Sequence, residues 1–499
     1  GAHSTMGAWA PIGTHQRDRL ALQHAEALVD EKRERDFEKA LGRDVVSGEQ
    51  HSRLDHNRGG LVTVMNDLGN FSEVLSRHGV EVAPWKLPAD LQADAGLWEN
   101  EAFAWWESRE VLSKDAAASV NKFQVQGRSH APSLDVSYAP IAGLAMKFAG
   151  QIPKHAFVSA ISHTHSVSGS TLGVATFRNA IVYANGDVQT DRDGFVLKGC
   201  LRNYDRSSFY NHNRWLNTTL PPRPIPTQHF GTVISVAQRW TAIYHILFDS
   251  IARFLTIDPA IRSNKSISVH TKSPPQEGFH QELFELIGID ATRLVTGIVS
   301  ADVVIVPESN ACVFVPTPLI YTLRRTLLAA LVHAGTLPPV GSDLSGACQI
   351  VHVSRKRGLD QKSMARVIMN EGELVAALTT GLRNCRLVDH DSHKKMTEQL
   401  ALFSGASAIV GPHGSGFSLM VVSKPGTVVL EYIVQGGYLV YLEMALRLRF
   451  RYFSLMPEDS GHYKPMHLDA AMIAKSVELL SSTLAQPYLP PARKNETIP

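Results

Sequence analysis

Between residues 348 and 455 the chain takes turns between short apolar runs and longer amphipathic ones. "CQIVHVS", "CRLVD", "SAIVG", "TVVLEYI" and "FRYFSL" have the length and the β-branched, aromatic content of buried strands. "NEGELVAALTTG", "KKMTEQLALFSG" and "GGYLVYLEMALRLR" between them carry apolar residues at helical spacing. A strand that is followed each time by a helix re-enters its sheet in the same direction, which predicts a parallel, doubly wound α/β sheet. The first of these helices is expected to have Asn370 as its N-cap, Glu373 at the capping-box position and Gly381 as its stop.

The upstream half repeats the theme less regularly. "FRNAIVYANGDVQTD" reads as strand, Asn-Gly turn, strand, and "LPPRPIPTQ" as a rigid connector. In 239–255, Trp240, Ile243, Ile246, Leu247, Ile251 and Phe254 recur at helical spacing, and "SISVH", "HQELFELIG" and "DVVIVPE" follow as strand, helix, strand. The expected organisation is an N-terminal stem or helical extension (1–140, with an exposed helix over 15–41) and an α/β half over 141–336. A second α/β half follows over 337–460, joined by a linker at 337–348. A terminal segment, 461–499, has a helix at 468–484 expected to pack back across the cleft between the halves. Residues 87–140 show no firm pattern.

At 499 residues the chain is too long for one compact core. A net charge of +2 gives no reason to expect nucleic acid as a partner, so any anion site must be local. Cys200, Cys312, Cys348 and Cys385 form no CxxC pair, which argues against a zinc cluster and leaves disulfides and buried thiols both open. Sequons begin at Asn70, Asn217, Asn264 and Asn495 and lean towards a secretory lumen. No run of 18 apolar residues occurs. The opening "GAHSTM" reads like a cloning scar, so a membrane anchor is expected only in a segment ahead of this chain.

The chemistry gathers at "GPHGSGF" (411–417). In an open parallel sheet ligands bind beyond the carboxyl ends of the strands, and this turn lies at such an end. Glycines there let backbone NH groups approach an anion, and His413 can donate to a phosphate oxygen. A tight turn with a satisfied histidine fits the spacing equally well. "HVSRKRGLDQKSMARVIMNE" (352–371) adds Ser354 and Arg355 at a strand end and Arg366 before the capped helix, cations able to meet a diphosphate or to sit in a solvated basic loop. Neither GxxxxGK[ST] nor a GxGxxG after a strand is present, and the residue two before Ser415 is His413, so ATPase, dehydrogenase and serine-hydrolase readings lose support. His245 and Asp249 lie one helical turn apart, as a base with its partner or as core architecture. The DxD patterns Asp191-Arg192-Asp193 and Asp389-His390-Asp391 are both expected to be solvated turns; no metal site is expected.

Ser354-Arg355-Lys356, Arg366, Asn370-Glu371, the run Gly411 to Phe417, Pro425-Gly426 and Glu431 together resemble the glycosyltransferase 61 family, over about residues 349–457. Ser415 and Phe417 stand where that family more often has Ala and Leu. "IYHILFDSIARF" is similar to its upstream His-and-Asp segment, although "RWTA" before it departs from the pattern. The resemblance implies a GT-B-like fold of two Rossmann-like domains and an inverting, metal-independent transfer of xylose, arabinose or GlcNAc from a UDP-sugar to a glycan or glycoprotein. A UDP-xylose-type pentosyltransferase of the Golgi or ER lumen, a type II membrane protein, is the form expected. Ser354, Arg355, Arg366, His413, Gly414, Ser415 and Gly416 would hold the donor, Glu431 would meet its ribose, and Asp249, favoured because a carboxylate is ionised at neutral pH without tuning, or His245 would serve as base. No cofactor beyond the donor substrate is implied. A nucleotide-sugar epimerase of similar fold and a non-catalytic sugar-binding protein are the alternatives.

Overall fold

The computed structural model describes residues 62–64, 75–76, 79–84, 173–191, 194–196, 223–238, 240–272, 278–308, 315, 317–337, 348–356, 365–434, 440–457, 460 and 464–488. The expected stem helix, the 87–140 region, most of the linker, Cys200, Cys312, Asp193 and three of the four sequons lie outside these residues. Gly60–Pro499 forms one compact unit built on two sheets.

The first sheet contains β1 (Val62–Val64), β2 (Glu81–Pro84), β3 (Gly173–Val182), β4 (Val188–Gln189), β5 (Gly194–Val196), β6 (Gln228–Ser235), β7 (Ser268–His270), β8 (Leu294–Val295) and β9 (Val299–Pro307). Its order is β1-β5-β4-β3-β9-β6-β7-β8, with β2 on β3. The strands β9, β6, β7 and β8 run parallel; β3 joins β9 antiparallel. The expected hairpin is β3–β4, with Gly186 at φ 89° in the turn, a conformation that favours glycine. After β6 comes α1, which is helical over Ile243–His245, π-helical over Ile246–Ile251 and helical again over Ala252–Phe254. Then follow α2 (Pro259–Ser263), α3 (Gly278–Leu286) and α4 (Thr317–His333). Trp240, expected on the apolar face of this helix, instead precedes it and is 42% exposed. The helix starts later than the spacing suggested, at Ile243.

The second sheet contains β10 (Cys348–His352), β11 (Cys385–Asp389), β12 (Ala408–Pro412), β13 (Val428–Tyr432) and β14 (Arg451–Leu455), ordered β11-β10-β12-β13-β14 and wholly parallel. Its helices are α5 (Glu371–Gly381), α6 (Met396–Ser404), α7 (Val440–Arg447) and α8 (Ala470–Leu484). Cys348 and Cys385 face each other in register and form a disulfide, fastening the edge strand β11 to its neighbour.

Asn370 holds the N-cap position of α5 as expected, but its side chain makes no capping bond: its Nδ2 donates to Glu373 and to the Leu468 carbonyl, and its Oδ1 accepts from the Leu468 NH. Its amide thus ties the helix start to the chain entering α8. Gly381 is the last residue of α5, where the helix was expected to stop, and an added Cβ there would strike Val477 of α8, so the glycine also serves close helix packing. α8 packs on α5 and β13, beside the second sheet.

One hydrophobic core runs without interruption from Ile234 and Phe248 beside the first sheet to Val410, Phe417 and Leu430 of the second. A smaller core holds Phe177, Val188 and Phe195 on the β3 side. Polar ties reinforce the joint: Tyr321 of α4 donates to the Arg447 carbonyl, and Met396 NH of α6 to Glu282 of α3.

Candidate active site

In the second sheet, β10 is followed in space by β11 on one side and by β12 on the other. The strand order therefore reverses between β10 and β12, and the crevice beyond their carboxyl ends is where such sheets bind ligands. Val353-Ser354-Arg355 leaves β10 there, and His413-Gly414-Ser415-Gly416 leaves β12. The parallel part of the first sheet, β8-β7-β6-β9, has a second reversal between β6 and β9. Gln238 and Trp240 follow the one, Glu308 the other.

The glycine turn is shaped by close approach. A Cβ on Gly411 would overlap the Val353 carbonyl, and one on Gly414 would overlap Arg355 Nη1. Arg355 thus lies across the Gly414 backbone, held by its Nε donating to the Ala365 carbonyl at 3.0 Å. Gly414 is extended (φ 172°), and Ser415–Val422 continues as a 3₁₀ helix. Phe417, Leu419, Met420, Val421 and Val422 are all buried. A segment apolar on every side cannot lie as a surface α-helix, and it fills the space beneath α1 and α4. Ser415 and Gly416 remain partly exposed.

His413 is buried and its Nδ1 bonds Glu431 Oε1 at 2.5 Å. Glu431 does not offer itself to a ribose: it is fully buried, and its Oε2 accepts from Tyr452 Oη. Sequence position put it at a strand end, but the register sets it between β12 and β14, facing the imidazole. Its part is to orient His413, leaving Nε2 as the nitrogen for a ligand. Burial pushes the Tyr452 hydroxyl well above its ordinary range, with Glu431 adding to the effect, so it stays a neutral donor.

Tyr441 of α7 roofs the site, its ring 5.3 Å from His413, 5.5 Å from Phe417 and 6.1 Å from Tyr244. Burial raises its hydroxyl pKa, with Ser418 and then the charges of Arg366 and Arg355 acting against that rise. Arg366 adopts φ 62°, a left-handed conformation costly for a side-chain-bearing residue; its NH donates to the Lys464 carbonyl at 2.6 Å. Ser354 Oγ donates to Glu371 Oε2 at 3.0 Å. Glu371 Oε1 is 3.6 Å from Nε2 of buried His352, whose Nδ1 bonds Asp389 at 2.8 Å.

The second DxD is therefore no solvated turn. Asp389 holds His352, His390 is buried against Gln399 and Asp391 receives the His393 NH. In the first, Asp191 pairs with Arg223 at the surface. Among the described residues no group of three or more His, Cys, Asp or Glu is arranged to hold a metal.

On α1, His245 Nδ1 and Asp249 Oδ2 are 2.6 Å apart, each side chain about one-fifth exposed, and Asp249 lies in the π-helical turn. Such turns recur at functional sites because they re-aim side chains. The Trp240 ring stacks on His245. The first turn of α1 abuts the 3₁₀ segment after HGSG, and Tyr244 bridges towards Tyr441. The structure so brings Arg355, Arg366, Ser354 and His413–Gly416 to one crevice and sets the His245–Asp249 pair beside it. The sequence did not single out Tyr441, Tyr452, His352 or Trp240 as site residues, although each lies in a patterned segment.

An open parallel sheet with cations, an imidazole and a glycine turn at its strand-order reversal has the arrangement at which open α/β sheets bind ligands. Residues 243–430 match the family model described as Glycosyltransferase 61. The match runs from the first residue of α1 to Leu430, so it takes in His245, Asp249, Arg355, Arg366 and His413. No curated protein matches the chain.

Proposed function

We propose that the protein transfers a sugar from a UDP-sugar to a hydroxyl of a glycan or glycoprotein, with inversion and without a metal. The observation that carries the reading is Arg355 lying across Gly414 beside His413 at the reversal between β10 and β12. In this reading residues 337–460 are the donor half and 141–336 the acceptor half of a GT-B-like pair, preceded by a stem.

The donor diphosphate rests on the backbone NH groups of Gly414 to Gly416, with Arg355 and Arg366 as its countercharges and His413 Nε2 on a phosphate oxygen. The acceptor oxygen attacks the anomeric carbon from the face opposite the diphosphate. The bond from that carbon to the phosphate oxygen breaks, its electron pair leaves on UDP, and the acceptor proton passes to the base. Negative charge grows on the diphosphate, where fixed donors stabilise it most. We assign the base to His245 Nε2, oriented by Asp249, because Asp249 already accepts from the ring's other nitrogen. This reverses the order expected from ionisation alone, which favoured Asp249.

Xylose, arabinose and GlcNAc are the sugars to try first. A secretory lumen suits the Cys348–Cys385 disulfide, which persists in oxidising compartments, and the exposed sequon at Asn264. No helix among the described residues is long and apolar enough to cross a membrane.

The test is incubation with a panel of UDP-sugars and glycan acceptors, with and without EDTA. Transfer with inverted configuration that survives EDTA is expected. Epimer formation, binding without turnover, or activity restored only by Mn²⁺ would each overturn the reading.

A further inference from the structure

Large hydrophobic side chains are exposed at three described positions, Ile225, Trp240 and Met369, and only Trp240 lies beside a candidate catalytic pair. A single exposed apolar residue is ordinary on a protein surface. Trp240 differs in how firmly it is held. Its NH donates to Oε1 of Gln238 at 3.0 Å, and its carbonyl accepts from Nε2 of the same buried side chain. The carbonyl of the next residue, Thr241, accepts from buried His280 at 2.6 Å. One indole face rests against the His245 ring, with centroids 5.9 Å apart and planes 25° from parallel. Thr241 and Ala242 beside it are exposed, and Trp240 itself is 42% exposed. The result is a rigid aromatic plate, open to solvent, at the β6–β9 reversal.

We propose that Trp240 is the stacking platform for the acceptor, a pyranose ring whose apolar C–H face lies on the indole. A sugar ring is a flat, amphipathic disc: axial C–H bonds line one face, and hydroxyls project from the rim. An exposed, immobilised indole complements that face, loses little freedom when it is covered, and leaves the rim hydroxyls for polar neighbours. A ring seated there has its hydroxyls next to His245, where one must give up its proton. The site lies outside the residues assigned to the donor, so it decides which acceptors are used and leaves UDP binding alone. The identification of the ligand as acceptor rests on the transferase reading; the stacking itself does not.

The test uses the full chain, wild type, Trp240→Ala and Trp240→Phe. Each is titrated calorimetrically with chitotriose, xylotriose, mannotriose and galactotriose, in the presence and absence of UDP, and separately with UDP alone. At least one trisaccharide should bind the wild type. Trp240→Ala should weaken that binding ten-fold or more and Trp240→Phe less than three-fold, with UDP affinity and melting temperature unchanged in both. Trisaccharide affinity retained in Trp240→Ala, or no trisaccharide binding to the wild type, would overturn the proposal. Failure of UDP to bind would instead strike the transferase reading, and sugar binding lost with the indole would still support the platform.

Discussion

Gly411 and Gly414 are three residues apart, and the same added methyl group should act on them in opposite ways. At Gly414 it meets the tip of Arg355, which can swing aside. Gly414→Ala should therefore fold normally but dislodge the guanidinium, and UDP affinity should fall about ten-fold, the worth of one charge-assisted contact. At Gly411 the methyl meets the Val353 carbonyl, part of the chain leaving the central strand β10. Gly411→Ala should cost about 1–3 kcal/mol of stability, as overpacking does. Thermal melts and UDP titrations on the two variants check this, and equal destabilisation by both would contradict it. At this scale the sequence was informative where chemistry depends on residue type, as with Arg355, Arg366 and His413. It misled at Glu431, because only the register of β13 against β12 and β14 shows that carboxylate facing inward.

Elements carry their own ionisable ties. Buried Arg253 of α1 donates to the carbonyls of Asp249, Pro307 and Glu308 and so clamps the helix to the end of β9. Burial lowers its pKa to about 10, which leaves it charged at neutral pH. Glu308 accepts from the Gly173 NH at the start of β3. Burial pushes its carboxyl up to about 7, against the lowering effects of that hydrogen bond and of Arg253. Between the unfolded value, 4.5, and about 7 the folded protein keeps a proton that the unfolded chain has released. The stabilisation is thus full below pH 4.5 and is lost as pH rises through 7, at up to about 1.4 kcal/mol per pH unit. Buried His270 works the other way. Its pKa is lowered to about 4 by burial, so its contribution is lost as pH falls below 6.5. The two slopes oppose each other, and the comparison must be made by substitution. Relative to wild type, Glu308→Gln should gain stability as pH rises from 5 to 7 and remain relatively more stable at pH 8. Denaturant titrations across that range check it; parallel curves for variant and wild type would contradict it.

The strands and helices from 348 to 455 were legible because a doubly wound sheet imposes one local pattern repeatedly. The helix type after HGSG was not legible, because "SGFSLMVV" is largely apolar and periodicity cannot distinguish one helix type from another. The first residues of α1 were misjudged for a related reason. Trp240 fits the apolar spacing, and only the Gln238 clamp reveals that the helix has not yet begun.

For the whole molecule, two strand-order reversals meet across one shared core. Neither reversal was readable from sequence, because strand order depends on long-range pairing that local patterns do not encode. The α/β class was readable, and so was the gathering of the "SRK" and "HGSG" segments, which follows from both lying at strand ends of one parallel sheet. The central claim is that a nucleoside diphosphate sits at the reversal of the second sheet. Calorimetric titration of UDP into wild type, Arg355→Ala and His413→Ala, with melting temperatures recorded alongside, tests it most directly. UDP should bind the wild type, and each substitution should weaken it ten-fold or more, roughly 1.5 kcal/mol or above, with melting nearly unchanged. UDP affinity that is the same in all three proteins would contradict the account.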